Sequence, residues 1–342
     1  MLATEKPPQL NKVPEREMIS AALQAVYAPI EDELAQVEQI LRTELRSRHP
    51  FVDELVRYGC MLGGKRLRPA LLLLSAKAAG EVRRDHLVLA AVVEMIHTAT
   101  LIHDDVLDEA DMRRHLATVN SRWSNEVSVL LGDYLFTHAF YLASTLETTR
   151  ACRVIGRATN IVCEGELRQI GSRSNFDLTE TEYLDIIEAK TAELCACSCE
   201  LGAHYAGADD DTVERLTRFG RDLGIAFQIA DDLLDVQGDE RSTGKSLGTD
   251  LDQHKPTLPL IRVFQLAGPA ERQELQDLLQ CEPEPRRQGL AAWYQRYEAL
   301  EYSRARALHF ARSASAALEP LGTNPALDVL RMLAEFVVLR SN

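Results

Sequence analysis

Two stretches of helical periodicity in this chain end in the same acidic pattern. One is LIHDDVLDEADMRR (101–114), which closes an apolar run beginning at Leu87; the other is FQIADDLLD (227–235). Each carries DDxxD, with Asp104, Asp105 and Asp108 in the first and Asp231, Asp232 and Asp235 in the second, 127 positions apart. On a helix, positions i and i+4 lie one turn apart and about 40° around the axis, so the first and third carboxylates of each motif share a face. Negative charge at a helix C-terminus opposes the helix dipole. A single such cluster reads as a solvated helix end. Two of them, each closing an apolar helix, require cations.

Strand signals are weak throughout. Helical spacing or helix-forming composition marks 17–46, 69–79, 86–109, 126–147, 151–169, 180–206, 211–235, 256–266, 271–280, 290–318 and 324–339. Gly, Pro, Asn, Asp and Ser cluster between them, as in LGGKRLRP, YAGADDD and GDERSTGKSLGTD. Thr179, with Glu182 three residues on, predicts a capping box at a helix start. No composition shift divides the chain, so one all-α domain over 17–342 is expected. It follows a mobile, proline-containing tail over 1–16 that lacks the layout of a secretory signal. The apolar run Leu87–Ile102 is too short for a membrane span and contains Glu94, His97, Thr98 and Thr100, so it reads as a core helix.

A net charge of −14 argues against a nucleic-acid partner. The seven cysteines form no CxxC pair, and Cys195, Cys197 and Cys199 alternate around a helix. Buried or half-buried free thiols in a reducing, cytoplasmic setting are expected. With only carboxylates on offer, the acid clusters suit Mg²⁺ (or Mn²⁺) rather than zinc. Mg²⁺ held by few carboxylates completes its shell with water and substrate phosphates, which predicts a phosphorylated substrate. The cations fit that expectation: Arg113 and Arg114 follow the first cluster, and Lys65, Arg66 and Arg68 sit on a glycine-rich turn. Lys190 is followed by the Thr191 hydroxyl, and Lys245 and Lys255 come after the second cluster. Each alone is an ordinary surface cation; together they describe a site for at least one diphosphate.

The ordered set GGKRLRP (63–69), DDxxD with Arg113–Arg114, LLGDYL (130–135), Lys190–Thr191, FQIADDLLD, GK and KPTLP resembles the trans-isoprenyl diphosphate synthases, or polyprenyl synthetases, from about residue 20 to 340. The resemblance implies an all-α bundle of roughly a dozen helices around a deep central cavity, a homodimer, and three Mg²⁺ ions. Its implied chemistry is head-to-tail, trans condensation of isopentenyl diphosphate with an allylic diphosphate, with transient contact to a membrane surface for product release. Carried over by residue, Asp104, Asp108 and Asp231 ligate metal, supported by Asp105, Asp232 and Asp235. Arg113, Lys190 and Lys245 hold the allylic diphosphate, with Lys255 closing near it. Isopentenyl diphosphate falls to Lys65, Arg68, His97 and Arg114, and Thr191 and Gln228 face the reacting carbons.

His115 and His254 stand where the family usually has glycine, which puts loop closure in question. The residues five and four places before the first Asp, Ala99 and Thr100, are small, so a product longer than twenty carbons is expected. A plug from Phe136, Phe140 or Tyr141 is the alternative, and would give a short-chain synthase. A class I terpene cyclase replaces the second DDxxD with an Asn/Ser/Glu motif. A di-iron bundle needs a second Glu-x-x-His beside Glu94–His97, and the chain has none. A regulatory subunit of a heteromeric synthase would typically have lost acids, and here both motifs are whole.

Overall fold

The computed structural model describes residues 25–61, 64–113, 116–237 and 249–339. The expected tail over 1–16, Arg114, His115 and Lys245 lie outside them. The fold is all-α, as expected. The chain runs through α1 (Glu31–Glu44), α2 (Pro50–Met61), α3 (Leu67–Ala79) and α4 (Arg84–Leu107) to a two-residue hairpin, β1 (Met112–Arg113) and β2 (Leu116–Ala117). Next come α5 (Val119–Arg122), α6 (Asn125–Ser144), α7 (Arg150–Gly171), α8 (Glu180–Ile187), a π-helical turn over Glu188–Ala192, α9 (Glu193–Ala206) and α10 (Asp210–Gln237). The remainder is α11 (Thr249–Asp252), α12 (Leu258–Leu266), α13 (Pro269–Leu279), α14 (Pro283–Arg296), α15 (Ala299–Ala317) and α16 (Pro325–Leu339).

One hydrophobic cluster runs from Val26 to Val338, and α4 and α9 are at its centre. Contrary to the expectation that the apolar run is too short for a membrane span, helix α4 extends it to 24 residues and is long and apolar enough to cross a membrane. However, 67% of its most apolar window is buried against protein. It is therefore a core helix, as expected. α6 packs along α4, α9 lies between α3 and α10, and α15 covers the other side of α10. A smaller cluster under α12–α15 gathers Phe264, Leu275, Leu290 and Tyr294.

Two departures from the expected segmentation have local causes. Helix α2 was not anticipated; Pro50 occupies its first turn, and Asp53 ties Ser47 N–H (3.0 Å) and Arg46 Nε (2.7 Å) across its start. The segment 290–318 is two helices, because Glu298 takes a left-handed backbone (φ +50°) that no α-helix continues through. The Thr179–Glu182 capping box is present, with Glu182 N–H to Thr179 Oγ1 at 3.2 Å and Thr179 N–H to Glu182 Oε2 at 2.8 Å. Cys195, Cys197 and Cys199 are buried free thiols as expected. Cys163 and Cys281 are exposed, contrary to that expectation: Cys163 falls on the solvent face of α7, and Cys281 lies in the short connection between α13 and α14.

Candidate active site

The first acid motif sits where α4 ends. Asp108 is the C-cap, and its N–H donates to the Asp104 carbonyl at 2.8 Å, the one-turn offset that the spacing predicts. Just beyond, the β1–β2 hairpin pairs Arg113 with Leu116 and folds the chain back over the helix end. Arg113 Nε and Nη2 therefore reach Asp105 Oδ1 at 2.8 and 2.7 Å. Asp105 is 1% exposed, and its Oδ2 is buried with no hydrogen-bond partner among the described residues. Burial raises its pKa, and Arg113 holds it back. The middle acid is thus a brace for the first arginine, while Asp104 and Asp108 are half-buried.

Burial pushes the Asp104 carboxyl up to about 7 against the pull of Lys190, with Glu166 and Asp108 adding to the rise. Asp108 Oδ1 receives Lys255 Nζ at 2.9 Å, with Arg173 Nη2 at 3.7 Å, and its carbonyl accepts Gln253 Nε2 at 3.1 Å. Lys255 comes from the segment after the second acid motif and is 8% exposed. The same segment donates Asp250 N–H to Asp235 Oδ2 at 3.3 Å. A single stretch, 250–255, thereby touches both acid motifs. His254 within it has φ +56°, and its carbonyl accepts the N–H of Ser174, itself left-handed at φ +60°. Glycine would adopt that backbone without strain, which fits the expectation of glycine at 254.

The π-helical turn supplies the other link. Lys190 Nζ pairs with Glu166 Oε1 at 2.5 Å and donates to Gln169 Oε1 at 2.9 Å, both on α7. Burial works against its charge, but Asp104 and Glu166 outweigh that and raise its pKa. The next residue turns to the second motif: Thr191 Oγ1 donates to Gln228 Oε1 at 2.7 Å, and Gln228 Nε2 donates to Asp232 Oδ1 at 2.8 Å. Tyr183 OH completes the set with a 2.6 Å bond to Asp232 Oδ2. Asp232 is 5% exposed; burial raises its pKa well above the carboxylate range, and Asp250 adds to the rise. An α-helix would point consecutive side chains about 100° apart; the extra residue of a π turn re-aims them, and such turns recur at functional sites. Glycines on both flanks let the neighbouring helices press onto this turn. A Cβ on Gly165 of α7 would lie 2.7 Å from Lys190 N, and one on Gly224 of α10 would lie 2.5 Å from Ala192 Cα.

The GGKRLRP turn leads into α3. Lys65 is exposed and Arg68 half-buried, with Arg68 Nε buried and without a hydrogen-bond partner among the described residues. His97 is half-buried on α4, two turns before Asp104. Ala99 is 1% exposed, and Thr100 Oγ1 donates to the His97 carbonyl at 2.8 Å. Of the residues suspected of blocking growth, Phe136 and Phe140 lie against each other with ring centroids 5.1 Å apart and planes tilted by 45°, and are partly buried, whereas Tyr141 is 62% exposed.

Among the described residues, no three carboxylate, imidazole or thiol side chains converge on one metal position. The motif side chains are all carboxylates, a donor chemistry that suits a hard cation filling its shell with water and phosphate oxygens. Sequence reading missed Glu166, Gln169, Arg173, Tyr183, Asp250 and Gln253. Most are polar residues on helices with no local motif, and only tertiary packing reveals that they converge. Arg66 and Glu94 were visible, as a third cation in the turn and a lone acid in an apolar run.

Residues 49–296 match the family model for polyprenyl synthetase. The octaprenyl diphosphate synthase of Escherichia coli (strain K12) is 37% identical over 313 residues, spanning 90% of this chain and 96% of that one. The crystal structure of a decaprenyl diphosphate synthase from Rhodobacter capsulatus is similar with a TM-score of 0.88 at 36% identity, covering 94% of this chain and 99% of its own. A polyprenyl synthase from Caulobacter crescentus CB15, solved in complex with calcium and isoprenyl diphosphate, gives 0.87 at 34% identity, covering 92% and 97%. Motif order, helical architecture and near-full-length similarity agree: the chain belongs to the polyprenyl synthetase family.

Proposed function

We propose that this chain condenses isopentenyl diphosphate, head-to-tail and trans, with an allylic diphosphate, and extends the product beyond twenty carbons. The observation that carries the reading is the π turn, whose adjacent Lys190 and Thr191 address the two acid motifs separately. Asp104, Asp108 and Asp231 hold Mg²⁺, and Asp105, Asp232 and Asp235 fix their surroundings. Bound Mg²⁺ supplies the positive charge that makes diphosphate a good leaving group. Lys190, Arg113 and Lys245 orient the allylic diphosphate, and Lys255 closes over it from the segment that already reaches Asp108. Lys65, Arg68, His97 and Arg114 hold isopentenyl diphosphate with its double bond towards the allylic carbon. The Thr191 hydroxyl and Gln228 carbonyl oxygen present partial negative charge to the allylic cation, and released diphosphate accepts the proton lost after attack.

The small side chains at Ala99 and Thr100 leave the product path along α4 open one turn, about 5.4 Å, before Asp104. Homologues named for long products support the same length. Residues 17–342 work as one cytoplasmic domain. It pairs as a homodimer, for which the exposed Val129, Leu130 and Tyr141 of α6 offer an apolar face. The test is incubation with labelled isopentenyl diphosphate, Mg²⁺ and a series of allylic primers, followed by product sizing. Asp104→Ala and Asp231→Ala are expected to abolish Mg²⁺-dependent condensation. Consumption of an allylic substrate without isopentenyl diphosphate, or arrest at twenty carbons, refutes the corresponding part.

A further inference from the structure

Arg66 lies between Lys65 and Arg68 in the glycine-rich turn and is held by carboxylates of two other helices. It caps α3 in a left-handed conformation (φ +56°, ψ +34°), and its guanidinium reaches sideways to two other helices. Nε donates to Glu38 Oε1 on α1 at 2.5 Å, and Nη1 donates to Glu94 Oε1 on α4 at 2.7 Å. The preceding residue is tied as well, because Tyr27 OH donates to the Lys65 carbonyl. Glu94 is 2% exposed, and its Oε2 is buried with no hydrogen-bond partner among the described residues.

A buried ion pair with an unsatisfied oxygen is a poor way to gain stability, since desolvation offsets the attraction and an apolar pair of similar volume does as well or better. Its geometry has a clearer use. Glu94 lies one turn before His97 and about 15 Å along the same helix from Asp104, at 1.5 Å per residue. Pinning Arg66 to Glu94 therefore fixes the turn that carries Lys65 and Arg68 to the rod that carries His97 and the first acid motif. Arginine suits the task because its planar fork can bind two carboxylates in fixed directions, whereas lysine offers a single point charge.

We propose that Arg66 and Glu94 form a positioning clamp that sets the isopentenyl diphosphate cradle at a fixed distance from the metal-binding acids. Neither residue touches substrate. The proposal rests on the assignment of Lys65, Arg68 and His97 to isopentenyl diphosphate, and it adds what holds those groups in register. It also accounts for the left-handed backbone at a non-glycine position: the conformation aims the side chain at α1 and α4.

The test uses the full-length chain with Mg²⁺, measuring KM separately for isopentenyl diphosphate and for the allylic primer, with melting temperature as a fold control. Arg66→Gly keeps the left-handed backbone without strain and removes the fork, leaving the buried Glu94 carboxylate without its cation. It and Glu94→Gln are expected to raise KM for isopentenyl diphosphate about tenfold or more, equivalent to about 1.4 kcal/mol, while KM for the primer stays within about twofold. Arg66→Lys recovers part of the loss. Where a single variant does not fold, Arg66→Gly/Glu94→Gln strands no buried charge and decides the matter by the same ratio. An unchanged KM for isopentenyl diphosphate in Arg66→Gly, or equal rises for both substrates, overturns the clamp. Lys65→Ala and Arg68→Ala separate the two levels. If they raise KM for isopentenyl diphosphate while the clamp variants do not, only the clamp fails; if they leave it unchanged, the assignment beneath it fails too.

Discussion

Helix α7 contains two internal glycines whose replacement by alanine should move stability in opposite directions. At Gly156 a new Cβ would meet only Phe140 Cε1, at 3.9 Å, an ordinary contact. Gly156→Ala should therefore gain the helix-propensity difference, about 1 kcal/mol. At Gly165 the Cβ would lie 2.7 Å from Lys190 N and 2.9 Å from Ala189 Cβ, atoms of the π turn that no rotamer change can move. Overpacking of this kind costs about 1–3 kcal/mol. Contact with backbone puts Gly165 at the upper end, and the propensity gain leaves a net loss of about 2 kcal/mol. An unfolding entropy of about 2.1 cal/mol/K per residue over 342 residues makes each kcal/mol worth about 1.4 °C. Calorimetry should then show Gly156→Ala melting about 1.4 °C above the parent and Gly165→Ala about 3 °C below it. Because the displaced atoms belong to Lys190 and its neighbour, Gly165→Ala should also raise KM for the allylic primer, and Gly156→Ala should not. If both variants raise the melting temperature alike, the close approach of α7 to the π turn is wrong, and so is the account of how Lys190 is aimed.

Other outcomes follow from buried charge. Arg113→Met strands Asp105, which is 1% exposed, and should cost about 3–5 kcal/mol near neutral pH. Since burial raises the folded pKa of Asp105, the deficit should shrink as pH falls and protonation removes the charge; Arg113→Met/Asp105→Asn should recover most of it, read as melting temperature at pH 5 and 8. His86 is fully buried, with Nδ1 accepting from Arg83 N–H at 2.8 Å and Nε2 at 3.1 Å from the Gly202 carbonyl, and burial lowers its pKa. The unfolded chain then binds the proton first, so stability is full above about pH 6.5 and falls as pH drops below it. Denaturant titrations between pH 5 and 7.5 should show that slope in the parent and a flatter one in His86→Gln, and equal slopes would refute the assignment.

Local information in the sequence determined a good deal. The helical periods, the Thr179 capping box, the core character of α4 and the one-turn spacing of Asp104 and Asp108 all depend on residues within a few positions of one another. For the same reason the repeated DDxxD was visible as a pair of one-turn acid motifs without any coordinates. Partnership across helices could not be read that way. Nothing near Asp105 in sequence says that a two-residue hairpin returns Arg113 to it rather than leaving both for ligand. Nor does AKTAEL (189–194) disclose a π turn, against whose residues Gly165 and Gly224 allow two other helices to press closely. Glu94 looked like an interruption of an apolar run until Arg66, 28 positions earlier, was found against it. Periodicity is a property of one helix and survives in its sequence, whereas the direction in which a buried charge is compensated is fixed only when separate helices pack and water is excluded between them.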